Sequence, residues 1–241
     1  MKRALFIYDK TGFAAVPWIN AGYECWLFDG QHLPGIYRDA KQPLLVRVGM
    51  WFDPYKIKGH VAQFIKMVDS ADIVIGFPEC TELTNAGSGS WERKRLENPR
   101  FQDEAVDLAR LVQLVGESYG CPWMFENPVG KMSTIYGPAN FWFDPCEYGG
   151  YLPLNDVHPL YPLIYPGRDA YNKKTGIWHG NGFVKPPKRG IPALFKANPG
   201  WKKCGGKTLR TKNIRSCTPR GFAQAVFEYN GFHHLPEIED Y

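Results

Sequence analysis

The chain has 241 residues, of which 44% are hydrophobic and 15% aromatic, and its formal net charge is +5. This length and hydrophobic content fit one large α/β domain, alone or with a small appendage. No run of about 18 apolar residues occurs, so the sequence predicts no membrane-spanning helix. The apolar run near the N terminus ends at Asp9 without a small-residue cleavage site, and we interpret it as a strand and not as a signal peptide.

The cysteines indicate a reduced, cytoplasmic setting. None forms a C-x-x-C pair, and no histidine lies at zinc-ligand spacing from a cysteine pair, so we expect no metal site. Their even number leaves disulfides open, but without a secretion signal we expect free thiols. The six residues are Cys25, Cys80, Cys121, Cys146, Cys204 and Cys217.

The first half of the chain alternates between strand-like and helix-like segments. A short helix is predicted to end near Gly22, and apolar residues recur at helical spacing in 60–69 and 101–119. This βαβαβαβ alternation predicts an α/β fold with an open, doubly wound, mostly parallel sheet. Five segments are predicted to be its strands: 3–8, 23–28, 44–48, 72–77 and 122–128.

Side chains capable of chemistry follow each predicted strand. Sheets of this kind bind ligands beyond the carboxyl ends of their strands, so these side chains are predicted to share one edge. The residues are Asp9, Asp29, Asp53, Cys80 and Glu126.

Asp29 is a candidate for holding the ribose of a nucleoside cofactor. It ends the second strand about 20 residues after the first turn, where such an acid commonly lies. The spacing alone leaves a plain turn aspartate equally open. The first turn, Y-D-K-T-G-F-A-A, has one glycine and carries Lys10, so it does not match the G-x-G-x-x-G pattern of dinucleotide sites.

Cys80 lies in the segment F-P-E-C-T-E-L, directly after the fourth strand. A lone cysteine in such a place is usually a packed, inert residue, and the alternative is a nucleophilic thiolate. The polar loop that follows, and the matching F-E-N-P at the end of the fifth strand, favour the nucleophile. In that interpretation Cys80 and Glu126 face one bound base.

The C-terminal half is basic and lacks a sustained periodicity. Between Arg168 and Arg220 we count 14 lysines and arginines against one acid, Asp169. A solvated basic face would account for this composition, but so marked an imbalance favours a surface that binds a polyanion. We expect residues 138–215 to be irregular, with short strands.

A last helix is predicted near the C-terminal end. Thr218 can cap its N terminus, and Pro219 fits its first turn. Phe222, Ala225 and Val226 share one face, which we expect to be buried.

Two motifs together carry a family resemblance. F-P-E-C-T-E-L, followed some 45 residues later by F-E-N-P-V-G-K-M, resembles the Pro-Cys loop and the Glu-Asn motif of DNA cytosine-C5 methyltransferases, and most of all the small phage-type members. Y-D-K-T-G-F-A-A with A-G-Y-E-C-W-L-F-D is similar to their S-adenosylmethionine-binding strands. K-K-T-G-I-W and R-S-C-T-P-R-G-F-A-Q-A resemble two later segments. The likeness covers most of residues 4–135 and patches of 172–230.

The resemblance implies a methyltransferase-type Rossmann-like fold and a specific chemistry. It makes Cys80 the nucleophile that adds to C6 of cytosine. It makes Glu126, with Asn127 beside it, the group that stabilises the base at N3 while C5 takes the methyl group of S-adenosylmethionine. The target base must leave its stack to reach such a site. Arg215 is assigned by the same likeness to a phosphate or to the positioning of the base.

The resemblance also implies binding residues, a division of the chain and a setting. It implies a catalytic core at 1–137, an irregular target-recognition region at 138–214, and a C-terminal helix at 215–241 that returns to the core. It implies a monomer in the cytoplasm of a bacterial or phage-infected cell that acts on DNA with a flipped cytosine, without metal or membrane. The cofactor residues would be Tyr8, Asp9, Lys10, Thr11, Gly12, Phe13, Asp29, Gly30, Phe52, Asp53, Phe77 and Pro78. The nucleic-acid residues would be Lys173, Lys174, Thr175, Trp178, Lys202, Lys203, Lys207, Arg210 and Lys212.

Three departures from the family pattern keep alternatives open. Glu79 replaces the proline before the nucleophile, where its charge would raise the thiol pKa. Lys10 replaces a glycine of the first turn, where it could crowd the cofactor or pair with a carboxylated one. The recognition region is short. The alternatives are therefore the same chemistry on a free cytosine nucleotide, or an inactive relative that binds nucleic acid or cofactor, whereas the basic segment favours DNA.

Overall fold

In the computed structural model, which describes residues 1–206 and 208–231, seven strands form one sheet in the order β3-β2-β1-β4-β5-β7-β6. The pairs between β1, β2, β3, β4 and β5 are parallel, and β7 runs antiparallel to both β5 and β6. The predicted α/β fold with a mostly parallel sheet is confirmed. The strands are β1 (Arg3–Ile7), β2 (Glu24–Arg38), β3 (Leu45–Gly49), β4 (Ile73–Gly76), β5 (Trp123–Pro128), β6 (Phe141–Phe143) and β7 (Thr175–Gly180).

The described residues also form eight α-helices. The prediction of a helix over 101–119 is confirmed to the residue, whereas the helix predicted over 60–69 begins three residues earlier and ends two earlier. The helices are α1 (Val16–Asn20), α2 (Ile57–Met67), α3 (Trp91–Glu97), α4 (Phe101–Tyr119), α5 (Met132–Ile135), α6 (Pro199–Lys203), α7 (Leu209–Arg215) and α8 (Arg220–Asn230). None of them is long and apolar enough to cross a membrane.

The start of α8 differs from the prediction. Its N-cap is Pro219, in an extended conformation, and not Thr218. The Pro219 side chain cannot accept a hydrogen bond, and the Gly221 N–H in the first turn of α8 donates instead to the Asp169 carboxylate at 2.8 Å. The expected buried face is confirmed, since Phe222, Ala225 and Val226 are at most 3% exposed.

The strand that carries Cys80 at its end is anchored by close helix packing. All four residues of β4 are buried, as expected for a strand covered on both faces of a parallel sheet. A Cβ built on Gly76 would lie 2.2 Å from a methyl carbon of Val112, so glycine is needed for α4 to approach the strand. This contact fixes the last residue of β4, three positions before Glu79.

Strand β2 is longer than the sequence predicts. It continues past Asp29 and meets β3 a second time in reversed order, with Ile36 opposite Val48 and Arg38 opposite Val46. The carbonyl oxygen of Leu33 lies 1.9 Å from where a Cβ of residue 49 would stand. The predicted strand end at residue 28 was therefore wrong, because a glycine in β3 makes room for the returning chain.

The chain divides into two compact units. The first comprises Met1–Asp144 and Lys173–Phe183 and holds the whole sheet. The second comprises Pro145–Asn172 and the described part of the chain from Val184 onward. The functional division into 1–137, 138–214 and 215–241 remains a prediction.

The second unit is built on buried aromatic rings and one ion-pair network. Tyr148 and Phe222 are buried and meet edge to face at 5.1 Å. Arg220 at the start of α8 donates to both carboxylate oxygens of Asp156, at 2.7 and 2.6 Å, and lies 3.9 Å from the buried Asp169. This basic region therefore has a core of its own despite its few regular elements.

Candidate active site

Asp9 organises the turn after β1. Its Oδ1 accepts hydrogen bonds from the backbone N–H groups of Thr11 and Gly12, at 3.0 and 2.7 Å, and from the Thr11 hydroxyl at 3.2 Å. Gly12 has a φ of +74°, which favours glycine. The other oxygen, Oδ2, is buried without a partner among the described residues. Burial raises the pKa of Asp9 to about 6 because it disfavours the charged carboxylate. A cation bound beside Asp9 would stabilise that charge.

Lys10 lies beside Asp29, the predicted ribose ligand. Its ammonium group donates to the carbonyl oxygen of Gln31 at 2.6 Å. Asp29 is buried and accepts from the Gln31 N–H at 2.7 Å. Burial raises the pKa of Asp29, and the charge of Lys10 acts in the opposite direction. The lysine that replaces the family glycine is thus held by the β2 backbone and partly offsets the charge of the acid.

His32 is a buried neighbour that sequence reasoning missed. Its Nε2 lies 3.2 Å from the carbonyl oxygen of Asp9. Burial lowers its pKa to about 4, so the ring is neutral at pH 7 and donates from Nε2 to that oxygen. Its position depends on the return of β2 past Asp29, which the sequence pattern does not indicate.

Trp51, two residues after the end of β3, packs on Gly30 in the middle of β2. A Cβ on residue 30 would lie 2.1 Å from the indole, so only glycine lets the ring reach the β2 backbone. The side chain is 77% exposed, so a flat aromatic surface is open to solvent over Gly30, the residue after Asp29. Gly30 and Phe52 were predicted from the sequence to bind a cofactor, but this tryptophan was not. The available signal was a tryptophan two residues after the end of β3.

Phe52 and Asp53 follow Trp51 in different roles. The Phe52 ring meets Tyr8 edge to face at 5.0 Å and stacks with Phe64 at 5.9 Å. Asp53 caps a short 3-10 helix by accepting from the Tyr55 N–H at 2.9 Å. The carboxylate of Asp53 therefore already has a partner, and its predicted place near an adenine stays a prediction.

The remaining predicted cofactor residues line the same edge of the first unit. Phe13 is buried in the short 3-10 helix after the Asp9 turn. The Phe77 N–H donates to the carbonyl oxygen of Ile7 at 2.9 Å, which joins the ends of β1 and β4. Pro78 is buried beside it.

Cys80 is a half-buried free thiol at the end of β4. Its pKa is raised to about 11, first by burial and next by the charge of Glu126, with a smaller contribution from Glu79. Lys173 acts in the opposite direction. Cys80, Glu126 and Lys173 therefore lie within electrostatic reach of one another, and at pH 7 the thiol is protonated.

The end of β5 carries unsatisfied polar atoms. Oε2 of Glu126 is buried and has no hydrogen-bond partner among the described residues. Asn127 is fully buried, and neither atom of its amide group has a partner there. Because leaving such groups unpaired costs free energy, the Glu126 carboxylate marks a place where a polar ligand can bind.

Backbone contacts join the loops that follow β4 and β5. Thr84 and Gly130 form an antiparallel bridge, and the Lys131 N–H donates to the carbonyl oxygen of Leu83 at 2.7 Å. The Leu83 carbonyl oxygen would be 2.0 Å from a Cβ at residue 130, so a glycine is required. The loop that carries Cys80 is thereby fixed relative to β5, which carries Glu126.

Glu79, the residue in place of the family proline, is exposed. Its carboxylate accepts from the Thr81 hydroxyl at 2.8 Å, and it raises the Cys80 pKa less than Glu126 does. The carboxylate before the cysteine is thus a secondary influence on the thiol.

The predicted nucleic-acid residues fall into exposed and buried sets. Trp178 is 2% exposed, donates from Nε1 to the Gly137 carbonyl oxygen and stacks on Phe125 at 5.4 Å. Thr175 is also buried. Burial leaves neither side chain a surface for a polymer to contact. Lys174 is exposed and pairs with Asp144 at 3.5 Å.

The other predicted nucleic-acid residues lie in the second unit. Lys202, Lys203, Arg210 and Lys212 are exposed on α6 and α7, and Lys207 lies outside the described residues. Arg215, at the end of α7, donates to the Cys204 carbonyl oxygen. Its assignment to a phosphate or to the base stays a prediction.

Comparison with known proteins gives likenesses only among solved structures. No protein-family model matches the chain, and no curated protein matches it. Among solved structures the chain is similar to a prophage-encoded protein of E. coli, described provisionally as a DNA modification methyltransferase, with a TM-score of 0.40 and 13% sequence identity. The match covers 80% of this chain and 52% of the other, so this chain spans about half of that protein's length.

Proposed function

We propose that the protein transfers a methyl group from S-adenosylmethionine to C5 of cytosine in DNA, with Cys80 as the nucleophile. The observation that carries the proposal is the placement of a half-buried thiol within electrostatic reach of a carboxyl group whose buried Oε2 has no partner among the described residues. Cys80 follows β4, and Glu126 lies near the end of the neighbouring parallel strand β5, where ligands of such sheets bind.

A single proton can serve both Cys80 and Glu126. The charge of Glu126 raises the pKa of Cys80, and transfer of the thiol proton to this carboxylate leaves a thiolate beside a carboxylic acid. The thiolate is the form that attacks carbon. The carboxylic acid can donate a hydrogen bond to N3 of a cytosine and stabilise the negative charge that develops on the ring.

The turn after β1, Asp29 within β2 and the segment after β3 fit S-adenosylmethionine. Asp9 offers a buried carboxylate oxygen without a partner to a cationic group. Asp29 offers a carboxylate that suits ribose hydroxyls, and Trp51 offers an exposed aromatic face one residue from it. When bound, the cofactor supplies an electrophilic methyl group.

Cys80, Glu126 and Lys173 have roles in the remaining steps of the reaction. Cys80 adds to C6 of the base and Glu126 holds N3, which makes C5 nucleophilic enough to take the methyl group. A base then removes the C5 proton, the C6–S bond breaks, and the thiolate is restored. Lys173 lowers the pKa of Cys80 and thereby favours the thiolate at both stages.

Loss of the nucleophile tests this proposal. Cys80→Ser should abolish transfer of radiolabelled methyl groups to DNA without loss of cofactor binding, and wild type should form a covalent complex with 5-fluorocytosine DNA at Cys80. Cys204→Ser, at the other half-buried cysteine, should retain transfer. Asp29→Ala should lose cofactor affinity. Transfer that survives in Cys80→Ser would refute the proposed mechanism, and faster transfer to dCMP than to duplex would move the substrate to a free nucleotide.

A second candidate is an inactive relative that binds cofactor or DNA. The raised pKa of Cys80, about 11, favours it because few thiols would be ionised at neutral pH. This candidate predicts tight cofactor binding, no methyl transfer to any DNA and no trapped covalent complex.

A further inference from the structure

Trp201 and Arg215 form a stacked pair in the second unit that the proposed reaction does not use. The guanidinium carbon lies 4.4 Å from the centroid of the indole, within the range of a cation–π contact. Trp201 is nevertheless 55% exposed. Tryptophan is highly buried on average, so an indole held by a cation and left open to solvent calls for an explanation.

The chain holds this pair in place. The Arg215 guanidinium donates to the Cys204 carbonyl oxygen, and the Asn198 amide donates to the Arg215 carbonyl oxygen at 3.4 Å. The hydroxyl of buried Tyr165 donates to the Ile214 carbonyl oxygen at 2.7 Å. These contacts tie the start of α6 to the end of α7, so the indole is oriented before any ligand binds, which lowers the entropic cost of binding.

The charge around the pair suits an anionic partner. No aspartate or glutamate occurs in the sequence between Asp169 and Glu228. Lys202 is exposed beside Trp201 and Arg210 is exposed on α7. The Arg215 Nε–H is buried without a partner among the described residues, so one donor of the stacked cation is unsatisfied.

We propose that the open face of Trp201 stacks on an unpaired base of DNA and that Arg215 is the residue that positions the indole. This inference rests on the proposed function in taking DNA as the substrate. An aromatic platform among cations is the means by which proteins hold single-stranded nucleic acid, since every base offers a flat face to stack on. A second copy of this chain is the competing occupant and is an outcome of the test.

Binding of a labelled single strand and of the matching duplex, followed by fluorescence anisotropy without cofactor, tests the inference. Trp201→Ala should weaken single-strand binding about 5- to 150-fold, the range seen when one stacking residue is truncated. Trp201→Phe should restore most of the affinity, and duplex without unpaired bases should be affected less. Leu154→Ala, at an 87% exposed apolar residue of the same unit, is the matched control and should bind as wild type does.

Salt dependence separates stacking from charge. Trp201→Ala should leave the slope of log affinity against log salt unchanged, whereas Lys202→Ala should reduce it by about 0.7 for a single strand. The inference would be overturned if Trp201→Ala bound single strands as tightly as wild type, or if Leu154→Ala lost the same affinity. Methyl transfer to DNA by wild type would in that case leave the proposed function intact. Loss of self-association in Trp201→Ala, with DNA binding kept, would assign the pair to a protein contact instead.

Discussion

Near Asp9 and Asp29 each acid has one carboxylate oxygen bound by the chain, whereas near the end of β5 a carboxylate oxygen and a whole amide group are left without partners among the described residues. Asp9 accepts three hydrogen bonds within its own turn, and Asp29 has both a backbone donor and the charge of Lys10 near it. By contrast Oε2 of Glu126 and the whole Asn127 amide group are unpartnered among the described residues. The first end, at Asp9 and Asp29, is therefore oriented by the chain and leaves Oδ2 of Asp9 for a ligand, whereas the second end, at Glu126 and Asn127, has fewer partners in the chain.

Among these predictions, the largest effect is expected from Glu126→Gln, which removes the carboxyl group of the second end. Methyl transfer should fall about 10²- to 10⁴-fold, the usual contribution of a general acid, because an amide cannot take up the thiol proton. The Cys80 pKa should fall at the same time, since the charge that raises it is gone. Alkylation of Cys80 below its pKa should therefore accelerate, by about threefold for each tenfold gain in thiolate, because a less basic thiolate is a weaker nucleophile.

Slower methyl transfer together with faster alkylation of Cys80 distinguishes loss of the carboxyl group from unfolding of the variant. The buried Cys121 serves as an internal reporter in the same alkylation experiment, resolved by peptide mass spectrometry. It should stay slow to react if the variant is folded. Slower alkylation of Cys80 in Glu126→Gln would contradict the idea that the two groups share one proton.

Asp9→Asn tests the first end through protein stability. Burial raises the pKa of Asp9 from about 3.8 to about 6, which corresponds to about 3 kcal/mol. Because the folded protein then binds more protons than the unfolded chain, this effect lowers the unfolding free energy as pH rises from about 4 to 6. Asparagine keeps the Oδ1 acceptor without the charge, so the variant should be more stable above pH 6, by about 3 kcal/mol or less.

Urea denaturation at acid and neutral pH measures this difference. The variant should match wild type near pH 4 and exceed it at neutral pH, with a residual slope from Asp169, whose pKa burial also raises to about 6. Equal stability of the two proteins at neutral pH would show that the charge of Asp9 is already compensated, and the contrast between the two ends would weaken.

Sequence patterns predicted the sheet and most of the residues at its edge, but not what surrounds them. Buried apolar strands such as β4 and the strong period of α4 have local signals, which is why their positions were predicted closely. The return of β2 onto β3 depends on the close contact of Leu33 with Gly49, which no local pattern announces. His32 was missed for that reason.

Exposure was the other quantity that the sequence could not supply. Trp178 lies in a basic, motif-like segment and was assigned to nucleic acid, yet pairing of β7 with β5 places it against Phe125 in the core. Trp51 and Trp201 were not predicted to bind anything, yet their side chains are exposed to solvent. Whether a tryptophan packs or contacts a ligand is decided by long-range pairing and not by its neighbours in sequence.

The smallest predicted effect sharpens the comparison at Cys80 itself. Lys173 is the one cation among the leading influences on the Cys80 pKa, which it lowers, so Lys173→Met should raise that pKa and slow alkylation of Cys80. Lys174→Met is the matched control, since Lys174 pairs with Asp144 and should leave the rate unchanged. Glu79→Gln should accelerate the reaction, but less than Glu126→Gln does. A larger effect at Glu79 than at Glu126 would make the residue before the cysteine, and not the carboxyl group on β5, the principal control of the thiol.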